Sequence, residues 1–330
     1  MPLRIFTILS IILSLVAIRV LVSTVRDRKQ LFDRNFTPQD RQRLSEAAFF
    51  LLMPISVLLH EAGHAVTVLA FGGQVVGFGF FLYYGYVQYQ GSFTPSQIFW
   101  IAFSGNLVSI VLGLLAIAVP LLKRLSPPVT YMLFIFGAID LANSLVFYPA
   151  LDFFAQLEGD WSQIYSGNTP LLSLGVAIVQ GVLIIGGLIA WRSAWGQRIY
   201  AQRTGLSENA VRRITKAQAA KELLEAGERL SSTWKHPLRV VTEAPDGAAG
   251  ITLHWISGGY GRVVGAFAVV DGHRHVELHG AIHALGSTAE GFQQSIGLIE
   301  GIPPPEQLTP YLTKALDLVE SWKTTTATTS

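Results

Sequence analysis

Half of the 330 residues are hydrophobic, 14% are charged and the mean hydropathy is +0.42, a balance seldom found in soluble domains but expected of a polytopic membrane protein with an aqueous part. A net charge of +2 offers no basic surface for nucleic acid and excludes that class of partner. With no cysteine, disulfides and thiolate metal sites are excluded as well, so a bound metal must take its ligands from His, Asp or Glu.

A membrane-spanning helix needs about 20 mostly apolar residues. The stretches Phe6 to Val25, Ala47 to Phe71, Ile98 to Leu122, Val129 to Phe154 and Leu171 to Trp191 qualify, giving a polytopic α-helical protein of about five spans. The predicted organisation is residues 1–45, a transmembrane helix and charged loop; 46–191, a membrane core; and 192–330, a small soluble α+β domain. The first stretch reads as a retained helix rather than a signal peptide, because Arg26, Arg28 and Lys29 follow its apolar run and no small-x-small cleavage site stands out. A charged loop, Arg26 to Glu46, is expected after it.

The second stretch contains His60-Glu61-Ala62-Gly63-His64, the pattern H-E-x-x-H. On a helix, residues four apart share a face, so His60 and His64 can aim at one zinc ion while Glu61 is placed to take a proton from water. Three titratable groups within five residues are costly in hydrocarbon and persist where they pair, line a wet cavity or hold an ion. The plainer alternative has both histidines hydrogen-bonded inside a bundle and Glu61 protonated. Gly72-Gly73 then ends the helix, and the uncharged, aromatic and glycine-rich Gln74 to Phe93 reads as a β-hairpin or re-entrant β-loop. Its backbone must be covered by the bundle beside the metal helix. Such an edge either receives a substrate strand or forms an interfacial aromatic belt that anchors the protein.

In the third stretch, Ser104-Gly105-Asn106 and Gly113 permit close helix approach, which packing alone explains. The fourth carries Asp140 and Asn143 and is expected to break near Pro149. A catalytic zinc takes three protein ligands, and no histidine occurs between His64 and His236. The third ligand is therefore sought among Asp140, Asp152, Glu158 and Asp160. Asp160 ranks first, since Gly159 allows an unwound backbone just before the next helix; Asp152 is second, and pairing or loop solvation suits Asp140 and Glu158 better.

After Trp191, Arg192, Arg198, Arg203, Arg212 and Arg213 suit anionic headgroups of the lipid bilayer. A helix is predicted over Ser207 to Leu230, strands over Leu238 to Val241, Gly250 to Ile256, Arg262 to Val270 and Val276 to His279, a helix near Gln307 to Trp322, and a disordered tail from Thr324 to Ser330. In a strand, His273, His275, Glu277 and His279 share a face and could hold a second metal, with His283 nearby; the bland alternative is a solvated hairpin face.

Taken together, these residues resemble the site-2-type intramembrane zinc metalloproteases over about residues 45 to 190. The correspondence runs through His60-Glu61-x-x-His64, the glycine-rich β-loop Gly72 to Phe93, the small residues Gly105 to Gly113, and Asn143 through Pro149 to Asp160 or Asp152. The usual second motif is Asn-x-x-Pro followed shortly by Leu-Asp-Gly. Leu151-Asp152 lacks that glycine, whereas Gly159-Asp160-Trp161 is similar to a divergent branch in which a Gly-Asp pair opens the last helix. The resemblance implies one catalytic zinc on His60, His64 and Asp160, with Glu61 as the base and a transmembrane protein as substrate, in the manner of regulated intramembrane proteolysis. Asn143 is a candidate donor to the oxyanion or substrate backbone, or else bonds a neighbouring helix.

The basic residues after the first helix, at Lys123-Arg124 and after Trp191 put the C-terminal domain in the cytoplasm of a bacterial-type plasma membrane, whereas the resemblance orients the H-E-x-x-H helix the opposite way. Competing readings are a non-catalytic scaffold or chaperone of the same fold, whose C-terminal domain recruits a partner, and a metal-ion or proton transporter. Intact Glu61 disfavours the first, and the clustering of polar groups at one depth disfavours the second.

Overall fold

A computed structural model describes residues 2–33, 36–154, 159–243, 248–271, 274–285 and 292–322, the side chains of 2–9 excepted. The chain divides into two units. One holds 1–191 and 203–205, the other 192–202 and 206–330.

The first unit is helical. It comprises α1 (Pro2–Arg26), α2 (Arg28–Leu31), α3 (Pro38–Ala47), α4 (Met53–Ala70), a hairpin of β1 (Gln74–Phe80) and β2 (Gly85–Gln90), α5 (Pro95–Leu122), α6 (Pro127–Ala142), α7 (Tyr148–Phe154), α8 (Asp160–Ile164) and α9 (Pro170–Arg192). Among the described residues, Pro38–Ala70, Pro95–Leu122, Pro127–Phe154 and Pro170–Arg192 are long and apolar enough to cross a membrane. The expected first span lies within α1, where part of the side chains falls outside the description.

Local chemistry sets where these helices begin. At α3 and α5 a threonine N-cap precedes proline, and the side chain of the third helical residue returns the bond to the cap, as Thr37 with Asp40 and Thr94 with Gln97. The charged loop expected over Arg26 to Glu46 is instead largely helical, as α2 and α3, because that cap and Asp40, Arg41 and Leu44, all buried, fold its second half onto the core.

Two π turns, Ala48–Leu52 and Asn143–Phe147, lead without a break into α4 and α7. Each comes just before a proline, Pro54 and Pro149, which has no N–H for the carbonyl four residues back. Other elements supply the missing donors. The Tyr83 hydroxyl donates to the Phe50 carbonyl at 2.9 Å, and Gln180 Nε2 to the Leu145 carbonyl at 2.6 Å. The break predicted near Pro149 is therefore absent, and the helical run continues to Phe154.

The hairpin expectation holds. β1 and β2 pair antiparallel, with Phe80 opposite Gly85. Tyr83 joins Phe49, Leu52 and Met132 around buried Ala48, Met53, Ala116 and Phe136. Helix α9 is mostly exposed, with Ile178, Val182, Ile185 and Ile189 at 59–64%, which in a membrane protein is a lipid-facing surface.

The second unit contains α10 (Ala194–Thr204), α11 (Glu208–Val211), α12 (Lys216–Thr233), β3 (Arg239–Glu243), β4 (Ala249–Ser257), β5 (Tyr260–Val269), β6 (His275–Ala284), β7 (Phe292–Glu300) and α13 (Pro305–Ser321). The strands form one antiparallel sheet in sequence order. Helices α12 and α13 cover one face of it, burying Leu223, Leu230, Leu308, Leu312, Leu316 and Val319 against Ile251, Leu253, Val264 and Val276; each such side chain contributes about 1.5–3 kcal/mol of burial. The helix expected over Ser207 to Leu230 is interrupted between Val211 and Lys216, where Thr215 caps α12 afresh. Strand β7 and helix α10 were not predicted. The tail expected over 324–330 lies outside the described residues.

Candidate metal centre

His60 and His64 lie one turn apart on α4, and Asp160 opens α8. Their ligand atoms form a near-equilateral triangle: His60 Nε2 to His64 Nε2, His60 Nε2 to Asp160 Oδ2, and His64 Nε2 to Asp160 Oδ2 are each 3.1 Å. Tetrahedral zinc with bonds of about 2.0–2.1 Å places its ligands about 3.3 Å apart, so this donor set fits the ion. His64 Nδ1 donates to the Ile101 carbonyl at 2.6 Å, so its Nε2 faces the carboxylate and His60 Nε2. Groups this close need a positive charge among them, which either a proton on a ring nitrogen or a metal ion supplies.

The surrounding sequence makes this approach possible. A Cβ on Gly105 would lie 2.3 Å from His64 Nε2 and 2.8 Å from His60 Cδ2, so α5 has to present glycine to the imidazoles. Glu61, 7% exposed, faces the hairpin, where a Cβ on Gly85 would fall 2.4 Å from its Cγ. The uncovered β2 backbone at Gly85 thus runs directly past the Glu61 carboxylate.

Asp160 is held from two sides. Asn106 Nδ2 donates to its Oδ2 at 3.2 Å, its own N–H donates to the Tyr148 hydroxyl at 3.3 Å, and the Tyr148 ring sits 6.1 Å from that of His60. Asp152, the second choice as ligand, is 2% exposed and turned elsewhere: its carboxylate accepts the N–H groups of Gly159 at 2.6 Å and Ser162 at 2.8 Å, bracing the backbone on both sides of Asp160. Among the described residues, the group of His, Asp and Glu able to hold a metal is His60, His64 and Asp160.

Asp140 lies apart from the ligand triangle, bonded to Ser56. Asn143 opens the second π turn, and its side chain makes no hydrogen bond among the described residues. Glu158 and His273 lie outside them. On β6, Glu277 accepts from His275 at 3.1 Å and His279 at 3.4 Å, so these side chains pair along the strand face. Of the arginines after Trp191, Arg212 is committed to Glu222 at 2.6 Å.

Three residues were missed or undervalued. Asn106, read as packing, orients the third ligand, and the signal was available, since an amide 0% exposed in an apolar helix needs a reason to be there. Gly113 does serve packing, against Gly137. Tyr148 and Ser109 gave no sequence signal.

Residues 48–151 match the family model described as Peptidase M50B-like. Over these residues the chain is similar to that family. The resemblance drawn from His60, Glu61 and His64 to site-2-type metalloproteases holds over that span, and the protein joins an M50B-like core to a sheet-rich C-terminal domain. The match ends before Asp152, so the choice between the two aspartates rests on geometry. No curated protein and no solved structure matches the chain.

Proposed function

We propose that the protein is a zinc-dependent intramembrane endopeptidase that hydrolyses a peptide bond in or near a transmembrane segment of another membrane protein. The supporting observation is the 3.1 Å triangle of His60, His64 and Asp160 beside Glu61. In this M50B-like core those three residues hold one zinc ion, which when bound supplies Lewis acidity to polarise the scissile carbonyl and acidify water. Glu61 takes the proton from the attacking water, then returns it to the amide nitrogen as the carbon–nitrogen bond breaks. An extended substrate segment adds to the hairpin edge, which carries its carbonyl past Glu61 at Gly85. Asn143, whose amide is uncommitted, donates to the substrate backbone or the developing oxyanion.

The lipid bilayer surrounds the core. The basic residues Lys123, Arg124 and those following Trp191 support a cytoplasmic C-terminal domain, with an unknown partner, at the plasma membrane.

The test is to incorporate the metal-loaded protein into membranes carrying candidate substrates and label newly formed N-termini, with Glu61→Gln as the paired control. New termini inside or beside transmembrane segments, present with wild type and absent with Glu61→Gln, are expected. Metal binding without any such terminus would replace the protease with a scaffold of the same fold.

A further inference from the structure

The arginines that follow Trp191 fall into two sets. Arg198 lies 3.7 Å from Glu208 and Arg212 2.6 Å from Glu222, so each has a carboxylate of its own. Arg192 and Arg213 gather instead with Arg274, which stands just before β6 and far along the chain.

Arg274 reaches the linker between α11 and α12, where its Nη1 donates to the Arg212 carbonyl at 3.4 Å, against the peptide group that leads into Arg213. Its Nε is buried without a hydrogen-bond partner among the described residues. The Gly301 N–H donates to the Arg274 carbonyl at 2.9 Å and gives a backbone reporter for this corner. Nearby acids are already engaged, Glu222 with Arg212 and Asp271 with Lys216 at 3.2 Å. Partial desolvation lowers the pKa of Arg213, and the like charges of Arg274 and Arg192 lower it further. Guanidinium groups gathered in this way repel one another unless an anion joins them, and their planar forks match the oxygens of a phosphate.

The membrane sets which phosphate this is. Arg192 is the last residue of α9 and the first of the second unit. Just before it Ile189 and Trp191 are 64% and 50% exposed, and just after it Trp195 is 68% exposed. Tryptophan favours the headgroup level, and arginine there is attracted to anionic lipid. A cluster containing Arg192 therefore lies where a spanning helix leaves the hydrocarbon, at the depth of lipid phosphates.

We propose that Arg192, Arg213 and Arg274 form a site for the phosphate of a phospholipid of net negative charge, bound where α9 leaves the bilayer. Occupying it ties the membrane exit to the linker before α12 and to the start of β6. Neither metal nor cleavage enters this assignment.

The test titrates phosphatidylglycerol into the full chain held in micelles of phosphatidylcholine and detergent, and follows amide hydrogen exchange at Gly301 and over Arg212 to Thr215. Saturable slowing is expected with phosphatidylglycerol and none with added phosphatidylcholine. Arg192→Gln and Arg213→Gln change exposed side chains, and each should raise the half-saturating concentration about fivefold. Arg239→Gln, on β3, the edge strand farther from β6, removes the same charge and should leave it unchanged. Equal slowing with phosphatidylcholine, half-saturation unmoved in both Arg192→Gln and Arg213→Gln, or a shift as large in Arg239→Gln would overturn the site. The same slowing by inorganic phosphate alone would show a site for a soluble anion and contradict the lipid.

Discussion

Glu61 and Gly85 separate chemistry from metal binding more cleanly than any other residues in the core. Glu61→Gln keeps the volume and removes the base, so cleavage should fall by a factor of about 10² or more while metal stoichiometry stays at the wild-type value. Gly85→Ala drives a methyl group into the Glu61 side chain and should likewise abolish cleavage with metal retained; Gly105→Ala, which points at both imidazoles, should lose the metal itself. A Gly105→Ala protein with full metal content would show that α5 does not constrain the ligands. Of this site, His60, Glu61 and His64 were legible in sequence because a helix turns a four-residue spacing into a shared face. Asp160 ranked first among several acids on the glycine before it, but spacing alone could not decide it, since nothing in spacing shows that a loop returns across the bundle. Asp152 shows the difficulty: it is the same residue type and the more buried of the two, and only the direction of its carboxylate towards Gly159 and Ser162 separates brace from ligand.

At the scale of elements, the two π turns carry a shared device in which a proline orphans a carbonyl and a distant side chain satisfies it. Gln180→Leu leaves the Leu145 carbonyl without a donor and removes a polar tie between α9 and the core, so a loss of about 1–3 kcal/mol is expected, read as a lower thermal midpoint in detergent. Tyr83→Phe should cost a similar amount and also loosen the hairpin, seen as faster hydrogen exchange at Phe81, whose N–H donates to the Tyr84 carbonyl to close its turn. No change in either variant would mean that water serves these carbonyls as well. Most spanning helices and the hairpin were visible in sequence, because hydrophobic runs and alternating aromatics report burial directly. The continuation of the helix through Pro149 was not, since its rescue comes from Gln180, far along the chain. Strand β7 escaped notice for another reason: Gln293, Gln294 and Ser295 are exposed on an edge strand and supply no apolar alternation.

At the scale of the molecule, the C-terminal domain has its own polar anchor. Glu320 on α13 is partly buried, which raises its pKa, but hydrogen bonds from Ser257, Trp255 and His236 outweigh that and hold it at about 2, below the ordinary value of 4.5. A carboxylate depressed in the folded state stabilises above its unfolded pKa and loses that contribution as pH falls towards the folded one. The domain should therefore weaken between pH 4.5 and about 2, followed by hydrogen exchange of β4 and α13 in the full chain, and Glu320→Gln should be less stable at neutral pH and less acid-sensitive. An identical acid response in that variant would place the sensitivity elsewhere.

For the membrane core, the whole functional reading stands on one cation among His60, His64 and Asp160. Metal content per chain, measured in metal-replete purified protein, tests it most directly. About one zinc is expected in wild type and in Asp152→Ala, and none in His64→Ala or Asp160→Ala. A wild-type protein without zinc, or a site lost in Asp152→Ala and kept in Asp160→Ala, would contradict the assignment.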